Sequence, residues 1–231
     1  MTMRPFPSFR MPANLSRLAV GATVSATVLA GALATGTPAF ADHADHSQVG
    51  TTRAADTSQV AADKQQLRRG TAQTVLRVAE QQVGVTENAA GGGTPFHKWY
   101  MASPRAQQTL ARDGGNLQAY ANAPWCAMFV SWVGEKAGVR PSMGWDAYTV
   151  TWAKWFENEQ RWGNTAKPGA VVFFSWDAKS ISSIDHVGLV KKDNGDGTIT
   201  TIEGNTGNGK VEQRVRPKSQ VVGYGYPQYK A

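Results

Sequence analysis

The feature that most constrains this fold is a change of hydrophobic period between Glu159 and Ala170. Before it, apolar residues recur at helical spacing. Ala72, Val75, Leu76, Ala79 and Val83 form one such stripe, which Gly84 can end. A second helix is expected from Pro124 to Ala137, with Ala127, Val130, Val133 and Ala137 on its apolar face and Gly138 as the stop. A third is expected over Tyr148 to Glu159, burying Val150, Trp152, Trp155 and Phe156. After the change, Ala170 to Trp176 reads as a strand, as does His186 to Lys192. Asp193 to Gly197 is a turn cluster, Thr198 to Asn205 is the returning strand, and Val211 to Arg216 and Val221 to Tyr226 add two more. Helices first and antiparallel strands after them predict an α+β fold, with N-terminal helices packed on an antiparallel β-sheet.

The first forty-one residues do not fit that domain. Arg4, Arg10 and Arg17 precede an apolar, small-residue run from Leu18 to Ala34, and Pro38-Ala39-Phe40-Ala41 follows. A basic start, a short apolar run and a small-x-small ending read as a secretory signal peptide, residues 1–41, and not as a transmembrane anchor. Residues 42–70 carry almost no large apolar side chain and read as a flexible linker. Asp42, His43, Asp45 and His46 lie there without a scaffold to fix ligand geometry, so no metal site is expected from them. The folded domain is expected over 71–231.

The whole chain has a formal charge of +7. The leader takes three arginines with it, leaving 21 basic against 17 acidic side chains. That mild excess suits an anionic polymer such as a bacterial wall, and no dense Lys/Arg stripe points to nucleic acid.

The chain has a single cysteine, Cys126. A secreted protein usually carries paired cysteines or none, so a lone one is either a buried apolar filler or a reactive group. Cys126 falls in the first turn of an expected helix, where free N–H groups and the helix dipole favour a thiolate and can hold an oxyanion. His186, at the start of a strand, is the candidate base. If Asn194-Gly195 forms a two-residue turn, His186 lies opposite Glu203. If 194–197 is a four-residue loop, it faces Asn205. Glu203 and Asn205 share one face of their strand, so in either register the imidazole has a polar neighbour. An odd-length loop breaks this argument unless a bulge restores the parity.

Three blocks now stand in order: Pro124-Trp125-Cys126-Ala127-Met128-Phe129-Val130-Ser131-Trp132, Asp185-His186-Val187-Gly188, and Ile202-Glu203-Gly204-Asn205-Thr206. Together they resemble the CHAP family, cysteine- and histidine-dependent amidohydrolases and peptidases with a papain-like fold, many of which cut bacterial peptidoglycan. The resemblance spans roughly residues 73–227. It implies Cys126 as nucleophile, His186 as base, Glu203 orienting the imidazole and Asn205 supporting the site. Members often carry Pro-Gly-Asp before the first core strand, where this chain has Pro168-Gly169-Ala170. Some bind calcium through an acidic segment before the cysteine, but Asn116 to Pro124 has no acid, so no metal or other cofactor is expected. Asp193 to Gly197 lacks the alternating oxygens and closing Glu of a calcium loop.

Eight tryptophans leave aromatic faces to spare. Trp125, Trp145, Tyr148 and Trp176 are the candidates for substrate binding. Trp132, Trp152 and Trp155 are assigned to the core, and His97, with Trp99 and Tyr100, to structural packing. The expected protein is a secreted or wall-associated monomer without stable membrane insertion. It would cleave an amide bond in peptidoglycan or its stem peptides, as a muramoyl-alanine amidase or a peptide endopeptidase. Two other readings stay open: an inactive wall-binding module, and an amidase or protease acting on a non-wall substrate.

Overall fold

The computed structural model describes residues 70–230. The expected signal peptide, nearly all of the expected linker and the Asp42–His46 cluster lie outside the described residues. Gly70, the last residue of the expected linker, is already part of the fold: its N–H donates to the Ala137 carbonyl at 3.1 Å, and its own carbonyl accepts from Lys230 N–H at 3.0 Å.

The helices are α1 (Ala72–Glu80), α2 (Pro95–Met101), α3 (Pro104–Asp113), α4 (Cys126–Lys136), the short α5 (Arg140–Met143) and α6 (Thr149–Asn158). The strands are β1 (Trp162–Gly163), β2 (Val171–Phe174), β3 (His186–Asp193), β4 (Thr198–Glu203), β5 (Glu212–Pro217) and β6 (Val221–Gly225). They form one six-stranded antiparallel sheet in the order β1-β6-β2-β3-β4-β5. This is the α+β architecture expected from the change of period. No helix among the described residues is long and apolar enough to cross a membrane.

Local chemistry explains the helix starts. Thr71, Thr94 and Ser103 each accept an N–H from three residues on, and prolines open α2 and α3. Two of these helices were not expected from the sequence. α2 lies in what reads as an aromatic segment, and α3 buries only Ala106 and Thr109, too few for an apolar stripe. The helix expected from Pro124 starts two residues later, at Cys126, so the proline stiffens the approach to the helix instead of opening it.

α4 is the central helix. Cys126 through Ser131, Val133 and Gly134 are all buried, and α1, α2 and β3 pack around it. Alternate residues of β2 divide between two apolar clusters. Val171 and Phe173 join the main core with Val187, Leu189 and Ile202, while Val172 and Phe174 join a smaller one with Val190, Ile199 and Tyr224.

The β3–β4 hairpin has the odd-length geometry that breaks simple parity counting. Asp193 pairs with Ile199 and Lys192 with Thr200, but Val190 pairs with Thr201 and Leu189 with Ile202. Lys191 is the bulged residue that restores parity. At the site end the register is therefore that of the four-residue loop, which sets Gly188 opposite Glu203 and His186 level with Asn205. In the turn itself, Asp193 accepts from Gly195 N–H and pairs with Lys218, and Asp196 accepts from Thr198.

Candidate active site at the head of helix α4

Cys126 is the first residue of α4 and only 5% exposed. The preceding Trp125 makes no side-chain cap bond, so among the described residues no side chain caps the N–H groups of the first turn. The approach to the cysteine is tied down from behind. His97 is buried on α2, with Nδ1 2.7 Å from the Thr94 hydroxyl and Nε2 3.0 Å from the Ala123 carbonyl. A carbonyl only accepts, so Nε2 carries a proton and donates it to Ala123. His97 is thus the structural residue the sequence suggested. Trp125 is fully buried, donates its indole N–H to Glu87 at 2.7 Å and stacks on Phe96 at 5.4 Å. Its ring belongs to the core and is not available to line a substrate groove, a correction forced by its burial.

The head of α4 sits hard against the end of β4. A Cβ at Gly204 would lie 2.7 Å from Phe129 Cβ and 2.8 Å from the Trp125 ring, so only glycine allows this approach. Asn205 follows with φ 54, in the left-handed region. It is half-buried and makes no side-chain hydrogen bond to the imidazole of His186 among the described residues.

His186 opens β3, pairs with Phe174 and is buried. Its Nε2 lies 2.9 Å from Glu203 Oε2. Burial works against its protonated form. Its interactions with the Cys126 sulfur and with the Glu203 carboxylate, each of which favours the imidazolium, outweigh that and hold the pKa up at about 9. Glu203 is fully buried, which alone would raise its pKa, but hydrogen bonds from His186, Arg216 and Thr201 pull it down to about 2.

Glu203 is saturated by its partners. Thr201 Oγ1 donates to Oε1. Arg216 Nε reaches Oε1 at 3.0 Å and Oε2 at 3.2 Å, and its Nη2 reaches Oε2 at 2.6 Å. Sequence reasoning missed Arg216 because it counted only one hairpin. The same parity on the next one finds it: Glu203 pairs with Glu212, so 212, 214 and 216 share its face.

Among the aromatic candidates, Trp176 is 47% exposed and its ring centroid lies 5.9 Å from that of His186. Asp185 holds the backbone there by accepting the Trp176 main-chain N–H at 2.8 Å. Tyr148 is exposed at the start of α6, next to Thr149, whose hydroxyl donates to the Ile184 carbonyl just before His186. Trp145 lies elsewhere. It lines a cavity of about 620 Å³ with Arg105, Arg140 and Trp155, under the Arg140 guanidinium. Neither Cys126 nor His186 borders that cavity.

The fold agrees with the comparison to known families. Residues 118–205 match the family described as CHAP domain. The chain therefore carries a CHAP domain, and that family generally comprises cysteine-dependent hydrolases active on peptidoglycan. The matched segment runs from just before α4 to Asn205, so it includes Cys126, His186 and Glu203 and stops short of Arg216. No curated protein sequence matches the chain at a significant level.

Proposed function

We propose that this protein is a secreted cysteine hydrolase that cleaves an amide bond in bacterial peptidoglycan, with Cys126 as nucleophile and His186 as its acid–base partner. The observation that carries this reading is the buried Cys126–His186–Glu203 arrangement at the uncapped head of α4. Secretion is supported by the Met1–Ala41 pattern in the sequence.

In this reading the Cys126 thiolate attacks the amide carbonyl and a carbon–sulfur bond forms. The oxyanion is held by N–H groups of the first turn of α4. His186 Nε2 is engaged by Glu203, which leaves Nδ1 to face the sulfur and the leaving nitrogen. With a pKa near 9 the imidazole starts protonated at neutral pH, so the proton for the departing amine is in place as the carbon–nitrogen bond breaks. Acylation then removes the thiolate charge, one cause of the raised pKa. Burial lowers the value again, and neutral His186 accepts a proton from the water that hydrolyses the thioester. Glu203 stays ionised throughout and holds the ring.

The test is mass spectrometry of purified peptidoglycan after incubation with the full chain. Soluble fragments with new free amino groups support the hydrolase, and the fragment masses name the bond. Wall binding without new amino groups points to an inactive binding module and overturns it. Cleavage of unrelated peptides with intact wall would relocate the substrate.

A further inference from the structure

We infer that Arg216 is a positioning residue of this site: its guanidinium clamps the Glu203 carboxylate, fixing the oxygen on which the imidazole depends. The inference rests on the hydrolase reading above for its kinetic consequence, but its structural content stands apart from it.

Three contacts carry the clamp, Nε to both carboxylate oxygens and Nη2 to Oε2. Oε2 is also the oxygen 2.9 Å from His186 Nε2. A carboxylate alone can rotate about its last bond and offer either oxygen. A fork of two N–H donors permits one orientation. Thr201, two residues before Glu203 on the same face, occupies Oε1 and closes the remaining freedom. Arg216 is itself held: its guanidinium carbon lies 5.2 Å from the Trp176 ring centroid and 5.8 Å from that of Phe174, and both rings stack with His186. One side chain thus supports the acid that orients the histidine and backs the aromatic rings that flank it.

The other charges around Glu203 are committed elsewhere. Glu212, opposite it on β5, bonds Thr206, Asn208 and Arg214. Asp185 holds the Trp176 backbone. From α4, Cys126 engages His186 and not Glu203. Among the described residues, Arg216 is the one cation that answers the buried Glu203 apart from His186.

The experiment compares the full chain with Arg216→Gln and Arg216→Lys, using two readouts. The first is the carboxyl 13C signal of Glu203, assigned with Glu203→Gln and followed against pH. The parent signal should stay ionised to the acid end of the range, while Arg216→Gln should move the titration upward into it. Arg216→Lys restores charge but not the fork, and should fall between them. The second readout is the pH dependence of amide hydrolysis. For Arg216→Gln, kcat should fall about ten- to a hundredfold with KM within about twofold, as when a hydrogen-bonded partner that orients a site residue is lost. Its acid limb should shift to higher pH. An unchanged Glu203 titration, or an unchanged kcat and acid limb, overturns the clamp. Should Arg216→Gln fail to fold, Arg216→Lys carries the same comparison. Should the parent show no Cys126-dependent hydrolysis, the hydrolase reading fails, and the carbon signal still decides whether Arg216 holds Glu203.

Discussion

Glu203 reaches His186 diagonally, past Gly188. The register sets Gly188 opposite Glu203, yet Glu203 Oε2 lies 2.9 Å from the imidazole two residues further along β3. A Cβ at Gly188 would stand 2.7 Å from Glu203 Cγ and 3.2 Å from the Ile202 carbonyl oxygen. The carboxylate's path to the histidine is therefore built from the absence of a side chain.

That contact predicts the phenotype of Gly188→Ala. The variant should lose about 1–3 kcal/mol of stability, the usual cost of overpacking a filled site. Its activity should fall by more than the stability loss explains, because Glu203 is displaced from His186. Denaturant unfolding and initial rates, measured well below the transition, check both. A variant as stable and as active as the parent would mean that Glu203 can reach His186 by another path.

The His186–Glu203 pair predicts how stability depends on pH. His186 is raised from an ordinary 6.5 to about 9, so its contribution is complete below 6.5 and is lost as pH rises through about 9. Glu203 is lowered from 4.5 to about 2, so its contribution is complete above 4.5 and is lost as pH falls through about 2. Unfolding free energy should thus drop on the alkaline side by about 3–4 kcal/mol, because each tenfold gain in proton affinity on folding is worth about 1.4 kcal/mol. The two contributions share one hydrogen bond and do not add. Glu203→Gln should flatten the alkaline fall, which urea titrations at a series of pH values would reveal.

Trp176 should act in binding more than in turnover. It is nearly half exposed and flanks His186. Trp176→Ala is expected to raise KM about five- to tenfold, since an aromatic contact is worth about 1 kcal/mol, and to change kcat less. Little loss of thermal stability is expected from so exposed a ring. Steady-state kinetics on soluble wall fragments separates the two constants.

His97 should behave in the opposite way. His97→Ala leaves the Ala123 carbonyl and the Thr94 hydroxyl without their partner and should cost about 1–3 kcal/mol. Because it acts on the segment leading into Cys126 and touches neither His186 nor Glu203 among the described residues, the pH profile of the remaining activity should keep the parent's limbs. A shifted limb would place His97 in the chemistry.

These residues also show what the sequence made legible. The α+β class followed from one change of hydrophobic period, and the proposal of Cys126, His186 and Glu203 rests on a lone cysteine, a strand count and the family resemblance. The count survived an odd-length loop only because Lys191 bulges, a correction that turn chemistry alone does not reveal. Arg216 was within reach of the same counting but lies one hairpin further on, beyond the local signal. Helix α3 escaped because it is mostly polar, so periodicity had little to report. The burial of Trp125 and the cavity position of Trp145 escaped for a different reason. An aromatic residue type states that a large ring must be packed somewhere. It does not say whether core, cavity or cleft receives it, and that depends on contacts with distant residues such as Phe96, Glu87 and Arg140.

The central claim is that Cys126 is the nucleophile. The most direct measurement is the rate of free amino group release from purified peptidoglycan by the full chain and by Cys126→Ala, prepared together and matched for folding by circular dichroism. The account predicts release by the parent and none above background by the variant, since its methyl side chain cannot attack a carbonyl. Equal release by Cys126→Ala would contradict it.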